Sequence, residues 1–141
     1  MKPKPISPRK RRQARECAVQ FLFGLEFTKR EWQSAVLPFW AGNPVRAPVK
    51  EYAEHLIGGV LTHREALDDT IARVVTKWAP DRVGRIERNI LRVALFEMRF
   101  ADDVPPKVAI NEAVEIAKKF GDDEVPRFVN GVLDRLAKEK Q

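Results

Sequence analysis

The chain has 141 residues, of which 44% are hydrophobic and 33% charged, a balance typical of a helix-rich globular protein. No apolar run approaches the roughly 18 residues of a membrane-spanning helix, and the basic N-terminus lacks the apolar segment of a secretory signal. The single cysteine, Cys17, excludes an internal disulfide framework and suits a reducing compartment. These features predict one globular domain in the cytoplasm, without membrane association.

The net charge of +6 is unevenly distributed along the chain. Residues 1–15 contain seven basic side chains and no acidic one, whereas the rest of the chain holds 19 basic and 20 acidic residues. The whole charge excess therefore lies at the N-terminus. A basic end on a nearly neutral body is typical of a protein that binds a polyanion such as nucleic acid.

The hydrophobic periodicity predicts helices along the whole chain after a short arm. Residues 1–8 contain three prolines and little apolar character, which predicts a flexible basic arm. Apolar residues then recur at helical spacing, and no alternating pattern of convincing length interrupts them. The helices are expected at about 9–25, 30–40, 49–63, 64–77, 82–100, 106–120 and 124–138. The predicted fold is all-α, with about seven helices.

Two glycines at the last two predicted helices call for a separate explanation. Gly121 follows the sixth helix, where a left-handed C-terminal cap is expected. Gly131 lies inside the last helix at a cost of roughly 1 kcal/mol relative to alanine, which predicts a close neighbour there.

Three segments carry a resemblance to a known family. They are RRQARECAVQ at 11–20, RNILRVALFEM at 88–98, and VAINEAVEIAKKFG at 108–121 followed by FVNGVL at 128–133. The sequence of these segments resembles the NusB family of bacterial transcription antitermination factors. The resemblance implies an RNA-binding domain at 9–141 with two small helical-bundle subdomains, at about 9–63 and 64–141.

The resemblance also implies a function and its partners. Members bind the boxA element of leader and ribosomal RNA transcripts, here expected as a single strand, together with NusE, a small-subunit ribosomal protein. The complex joins an RNA polymerase antitermination assembly that supports ribosomal RNA synthesis. Some members form homodimers, so a homodimer stays open for this chain.

The candidate RNA-binding residues follow from the charge and from this resemblance. A solvated tail is the alternative for the basic cluster, but the cluster runs into a helix and matches the arginine-rich start of the family. Arginine forks suit phosphate, and exposed aromatic rings stack on bases. The alternatives are core packing for Phe128, partial burial between the two lobes for Phe23, and a solvated helix end for Lys118. The candidates are Arg9, Lys10, Arg11, Arg12, Arg15, Phe23, Lys118, Arg127 and Phe128.

In this family the C-terminal subdomain docks NusE, which makes Glu87, Arg88 and Arg92 of the central helix the candidate partner-binding residues. The alternative is a solvated stripe paired with neighbouring acids.

Three rival functions can be weighed against this hypothesis. An enzyme is disfavoured because His55 and His63 lie in predicted helices, Cys17 lies on an apolar stripe, and no phosphate loop, dinucleotide fingerprint or zinc spacing occurs. No catalytic residue, cofactor or metal is therefore expected. A relative of the NusB-like domain of RNA cytosine methyltransferases is disfavoured because no cofactor-binding domain follows. A helical protein–protein adaptor with an incidental basic tail remains the third alternative.

Overall fold

The computed structural model describes residues 3–78 and 83–139, and these ranges contain seven α-helices and no β-strand. This confirms the all-α fold. The helices are α1 (Pro8–Leu25), α2 (Trp32–Gly42), α3 (Ala47–Thr62), α4 (Arg64–Trp78), α5 (Arg85–Phe100), α6 (Pro106–Phe120) and α7 (Glu124–Lys138).

The chain divides into two compact units between Gly58 and Gly59, so α3 contributes residues to both. The boundary expected from the sequence was at about residue 63. At the N-terminus, Pro8 already belongs to α1, and the backbone N–H of Lys4 donates to the Glu51 carboxylate at 3.1 Å. The flexibility expected of residues 1–8 stays a prediction.

The first unit is built on the apolar face of α1. The Ser7 side chain accepts a hydrogen bond from the backbone N–H of Lys10, and Pro8 occupies the first helical turn, where its missing N–H costs nothing. Aromatic edges link α1 to α2, because the rings of Phe21 and Phe39 meet at 5.3 Å between centroids. The indole N–H of the buried Trp40 donates to the Glu54 carboxylate at 2.8 Å, so α2 is also tied to α3.

The second unit is organised around α5. Nine consecutive residues, 89–97, are buried, and α4, α6 and α7 all pack on this helix. Three of the nine buried residues are polar or charged: Asn89, Arg92 and Glu97.

A polar network satisfies part of this buried set. The Arg92 guanidinium donates to both carboxylate oxygens of Asp68 at 2.7 Å and to the Asn89 side-chain oxygen at 3.0 Å. The Asn89 amide nitrogen in turn donates to the backbone carbonyl of Arg85 at 2.9 Å. A two-pronged arginine–carboxylate pair of this kind fixes both the distance and the orientation of α4 against α5.

At two positions glycine is required by a close neighbouring side chain and not by a left-handed backbone conformation. The left-handed cap expected at Gly121 is wrong, because this residue is extended with φ −119° and ψ 176°. A Cβ on Gly121 would lie 2.6 Å from the Val125 Cβ, so the neighbouring side chain is what requires glycine. Gly59 in α3 is similarly constrained, since a Cβ there would overlap the buried Phe96 ring. Gly131 lies inside α7 as expected, and its close neighbour stays a prediction.

No helix within the described residues combines the length and the apolar character that crossing a bilayer requires.

Replacing Asp68 with alanine should destabilise the protein by about 2 kcal/mol, because the Arg92 side chain would stay buried without its carboxylate partner. The loss is moderated by the partial exposure of Asp68. The free energy of unfolding, measured by urea denaturation, checks this. Asp69→Ala, an exposed neighbour with the same charge change, is the control and should stay within about 0.5 kcal/mol of wild type. Equal effects of the two substitutions would contradict the role given to the Asp68–Arg92 pair.

The adjacent glycines of α3 should respond oppositely to alanine. Gly59→Ala should destabilise the protein by roughly 1–3 kcal/mol, because the new methyl group meets the packed Phe96 ring. Gly58→Ala should be neutral or stabilising by up to about 1 kcal/mol, since its Cβ would lie 3.4 Å from Trp32, an ordinary contact distance. Thermal unfolding of the two single variants decides the matter, and a destabilised Gly58→Ala protein would refute it.

Candidate nucleic-acid interface

The first turns of α1 carry the basic cluster. The Ser7 cap and Pro8 start the helix immediately before the cluster, so the four consecutive cations from Arg9 to Arg12 all occupy helical positions. Arg9 and Arg12 lie three residues apart and are exposed, whereas Lys10 and Arg11 are half-buried. Neighbours three residues apart share one helix face. The arrangement therefore places two exposed arginines within one helical turn.

Arg11 is held against the body of the first unit. Its guanidinium carbon lies 5.1 Å from the centroid of the Tyr52 ring, a cation–π distance. Tyr52 is itself buried in α3, so it provides a rigid support for the guanidinium plane. Hydrophobic periodicity does not predict this contact, because no local pattern links positions 11 and 52.

Arg15 does not belong to the exposed cluster. Its side chain is only 3% exposed, so phosphate oxygens have no access to it, and the expectation that it binds RNA directly is corrected. The reason is its register: Ala18, Val19 and Leu22, which follow it by three, four and seven residues, are all buried. Arg15 makes interactions within the protein, and every buried side-chain nitrogen and oxygen of the described residues has a hydrogen-bond partner.

The two aromatic candidates differ in accessibility. Phe128 is 5% exposed in α7, among the other buried residues of that helix, so its ring is not available to stack on a base and core packing explains its position. Phe23 is 37% exposed near the end of α1. It meets Phe27 edge to face, at 5.4 Å between ring centroids, and Phe27 is 63% exposed. Phe27 lies just beyond the end of α1 and was not among the aromatic residues expected from the sequence to bind RNA.

Lys118 and Arg127 are exposed residues of the second unit. The ammonium of Lys118 lies 3.0 Å from the Glu115 carboxylate, an exposed pair within α6. Such pairs exchange readily with solvent and cost little to open. Both cations therefore remain open to an anionic ligand, and their part in RNA binding stays a prediction.

The three candidate partner-binding residues on α5 also differ in burial. Arg92 is corrected, because its guanidinium is buried and bound to Asp68, which gives it an internal structural role. Glu87 and Arg88 are half-buried at the start of the helix. Arg88 lines a cavity of about 290 Å³ between α4 and α5, whose walls include Ile71, Val75 and Val83.

Cys17 is a buried thiol that is not part of a disulfide, and the apolar stripe of α1 predicted its burial. In the part of the chain that the structure describes, no group of three or more His, Cys, Asp or Glu side chains is placed to hold a metal ion.

Comparison with known proteins identifies the family. The model of the NusB family matches residues 12–138. Transcription antitermination protein NusB of Desulfotalea psychrophila is 48% identical over 132 residues, covering 89% of this chain and 94% of the relative. The same protein of Trichlorobacter lovleyi is 44% identical over 126 residues, covering 89% of each chain.

Solved structures agree with the sequence comparison. T. maritima NusB superposes with a TM-score of 0.79 at 32% identity, covering 98% of this chain and 94% of that one. A crystal structure of antitermination factors NusB and NusE in complex with double-stranded RNA gives a TM-score of 0.83 at 27% identity, covering 94% of this chain and 98% of that one. On the strength of the family match over residues 12–138 and of these relatives, the chain belongs to the NusB family.

Proposed function

We propose that this chain is a transcription antitermination factor that binds boxA-like RNA together with NusE and joins the RNA polymerase antitermination complex supporting ribosomal RNA transcription. It acts by assembly in the cytoplasm, without a catalytic step. The observation that carries the proposal for this chain is the exposed Arg9–Arg12 pair at the end that holds the entire charge excess. The NusB–NusE complex with RNA, to which the chain is similar over 94% of its length, supports it.

The cluster binds RNA through its phosphates. Arg9 and Arg12 offer planar forks that each hold two phosphate oxygens. Arg11 stays close to Tyr52, so less side-chain freedom is lost when a phosphate arrives. With the four cations at residues 9–12 engaged, log affinity for a single strand should fall with log salt at a slope of roughly −3.

Sequence preference needs further contacts, because phosphate contacts alone carry no base information. Phe23, at the other end of α1, supplies an exposed ring for this purpose. Lys118 and Arg127 supply additional positive charge from the second unit. NusE contributes further RNA-binding surface, so that the two proteins together contact more of the RNA than either does alone. Its proposed contacts on this chain are Glu87 and Arg88. A homodimer that covers the basic turns would compete with RNA and so regulate access.

Fluorescence anisotropy tests the proposal directly. Labelled boxA-like RNA and a scrambled RNA of equal length, each as a single strand and as a duplex, are titrated with the protein, with and without NusE, across a salt series. We expect a preference for boxA-like RNA that strengthens with NusE, and a steep salt slope. Equal, weak binding to all RNAs, unaffected by NusE, would favour the helical adaptor with an incidental basic tail.

The double variant Arg9→Ala/Arg12→Ala should weaken RNA binding roughly ten- to hundredfold at low salt. It should also reduce the magnitude of the salt slope by about 1.4, because two phosphate contacts are lost from a single strand. Arg46→Ala/Arg64→Ala removes two exposed arginines outside the cluster and is the charge-matched control. Equal losses in both double variants would mean that only overall charge matters.

Arg15→Ala should lower the free energy of unfolding by about 1–3 kcal/mol, because a buried side chain that interacts within the protein would be removed. The salt slope of RNA binding by the folded protein should not change. Denaturation and the salt series, carried out on the same preparation, separate the two effects. A flattened slope with wild-type stability would return Arg15 to the RNA-binding surface.

A further inference from the structure

A cavity of about 240 Å³ lies where the C-terminal end of α1 meets α2. Its walls are apolar, with Phe21 and Leu25 from α1 and Phe39 from α2. Three polar residues also line it: Gln20, Thr28 and Arg30. Apolar walls together with a few residues that can hydrogen-bond suit a planar heterocycle that carries donors and acceptors on its edge.

The position of this cavity on α1 connects it with the basic cluster. Arg9, Arg12, Gln20 and Phe23 are all exposed and succeed one another at intervals that keep to one side of a helix. From Arg12 to Gly24, which also lines the cavity, α1 rises about 18 Å at 1.5 Å per residue. A strand whose phosphates lie on Arg9 and Arg12 therefore reaches the cavity within a few nucleotides.

Two exposed rings continue the same surface beside the cavity. Phe23 and Phe27 immediately precede the cavity residues Gly24 and Thr28, respectively, and their rings form an edge-to-face pair. Single-stranded RNA is read by bases that leave the stack, lie against aromatic rings and hydrogen-bond through their edges. Solvent-exposed phenyl rings at the end of a cation-bearing helix fit that mode of recognition.

We propose that this cavity is a nucleobase site, which takes one unstacked base of the bound RNA while Phe23 and Phe27 support its neighbour. The inference rests on the proposed function, since the base arrives on a strand that the basic cluster holds. The apolar walls contact the faces of the base, and Gln20, Thr28 and Arg30 meet its edge. The Arg30 guanidinium also donates to the Ser34 carbonyl at 3.2 Å, which restricts the motion of this side chain.

Gly24 offers a variant that fills the cavity and leaves the fold intact. It lines the cavity, and a Cβ placed on it would meet no heavy atom within 4 Å. Glycine is also a poor helix former, so Gly24→Leu should not lower the melting temperature. Leu37→Ala is the matched control, since Leu37 is exposed on α2 and does not line the cavity.

The experiment is an abasic scan of boxA-like RNA, read by anisotropy against wild type, Gly24→Leu, Phe27→Ala and Leu37→Ala. One abasic position should weaken wild-type binding by about five- to twentyfold. The same position should make little difference to Gly24→Leu, which has already lost the contact, and should keep its full effect on Leu37→Ala. The salt slope should be unchanged in Gly24→Leu, because the cavity contacts no phosphate.

Each outcome has a separate meaning. If Gly24→Leu binds RNA as wild type does, or if every abasic position affects both proteins equally, the cavity holds no base. If Gly24→Leu loses only the enhancement by NusE, the cavity receives a protein side chain and the base site is refuted. If wild type itself shows no salt-dependent RNA binding, the proposed function fails first, which the scan distinguishes from failure of the cavity alone.

Discussion

The second unit depends on a helix whose nine consecutive residues 89–97 are all buried. Each polar group in this part of α5 therefore needs a partner inside the protein. Arg92 finds one in Asp68, and Asn89 joins the arginine to the backbone of its own helix. Because the pair is formed through two parallel bonds, α4 has little freedom to slide along α5. The packing of α6 and α7 on the same helix then completes a closed group around it.

The basic side chains of α1 in the first unit fall into two groups that differ in exposure. Arg9 and Arg12 are exposed residues on one face of α1. Arg11 and Arg15 are drawn toward the body of the unit, one to the Tyr52 ring and the other into full burial. A basic sequence run therefore becomes a smaller binding surface attached to a structural anchor. Counting arginines overstates the number of phosphates that such a helix can hold.

Periodicity predicted the helices well because burial of an apolar stripe is a local property of the sequence. The predicted ranges for α6 and α7, and the buried position of Cys17, came from spacing alone. Arg15 and Arg92 were misjudged for a common reason: whether a charged side chain at the margin of a stripe is buried depends on a neighbouring element. Phe128 lies within the apolar stripe of α7, where spacing alone favours core packing and only the family resemblance suggested RNA binding. The family resemblance supplied a role for such residues but no measure of their accessibility. Gly58 and Gly59 show the same limit, since only a tertiary neighbour distinguishes two identical residues.

The start of α1 has a thermodynamic consequence for any ligand that reaches it. The first turn of a helix carries a partial positive charge, and here it contains no acidic residue while four cations follow in succession. Each cation in that position opposes the helix dipole by about 0.3–1 kcal/mol at low ionic strength. An anion bound at this end removes the repulsion and so strengthens the helix that holds it. Folding of the first turns and occupancy by an anion are thus linked equilibria, and each raises the other.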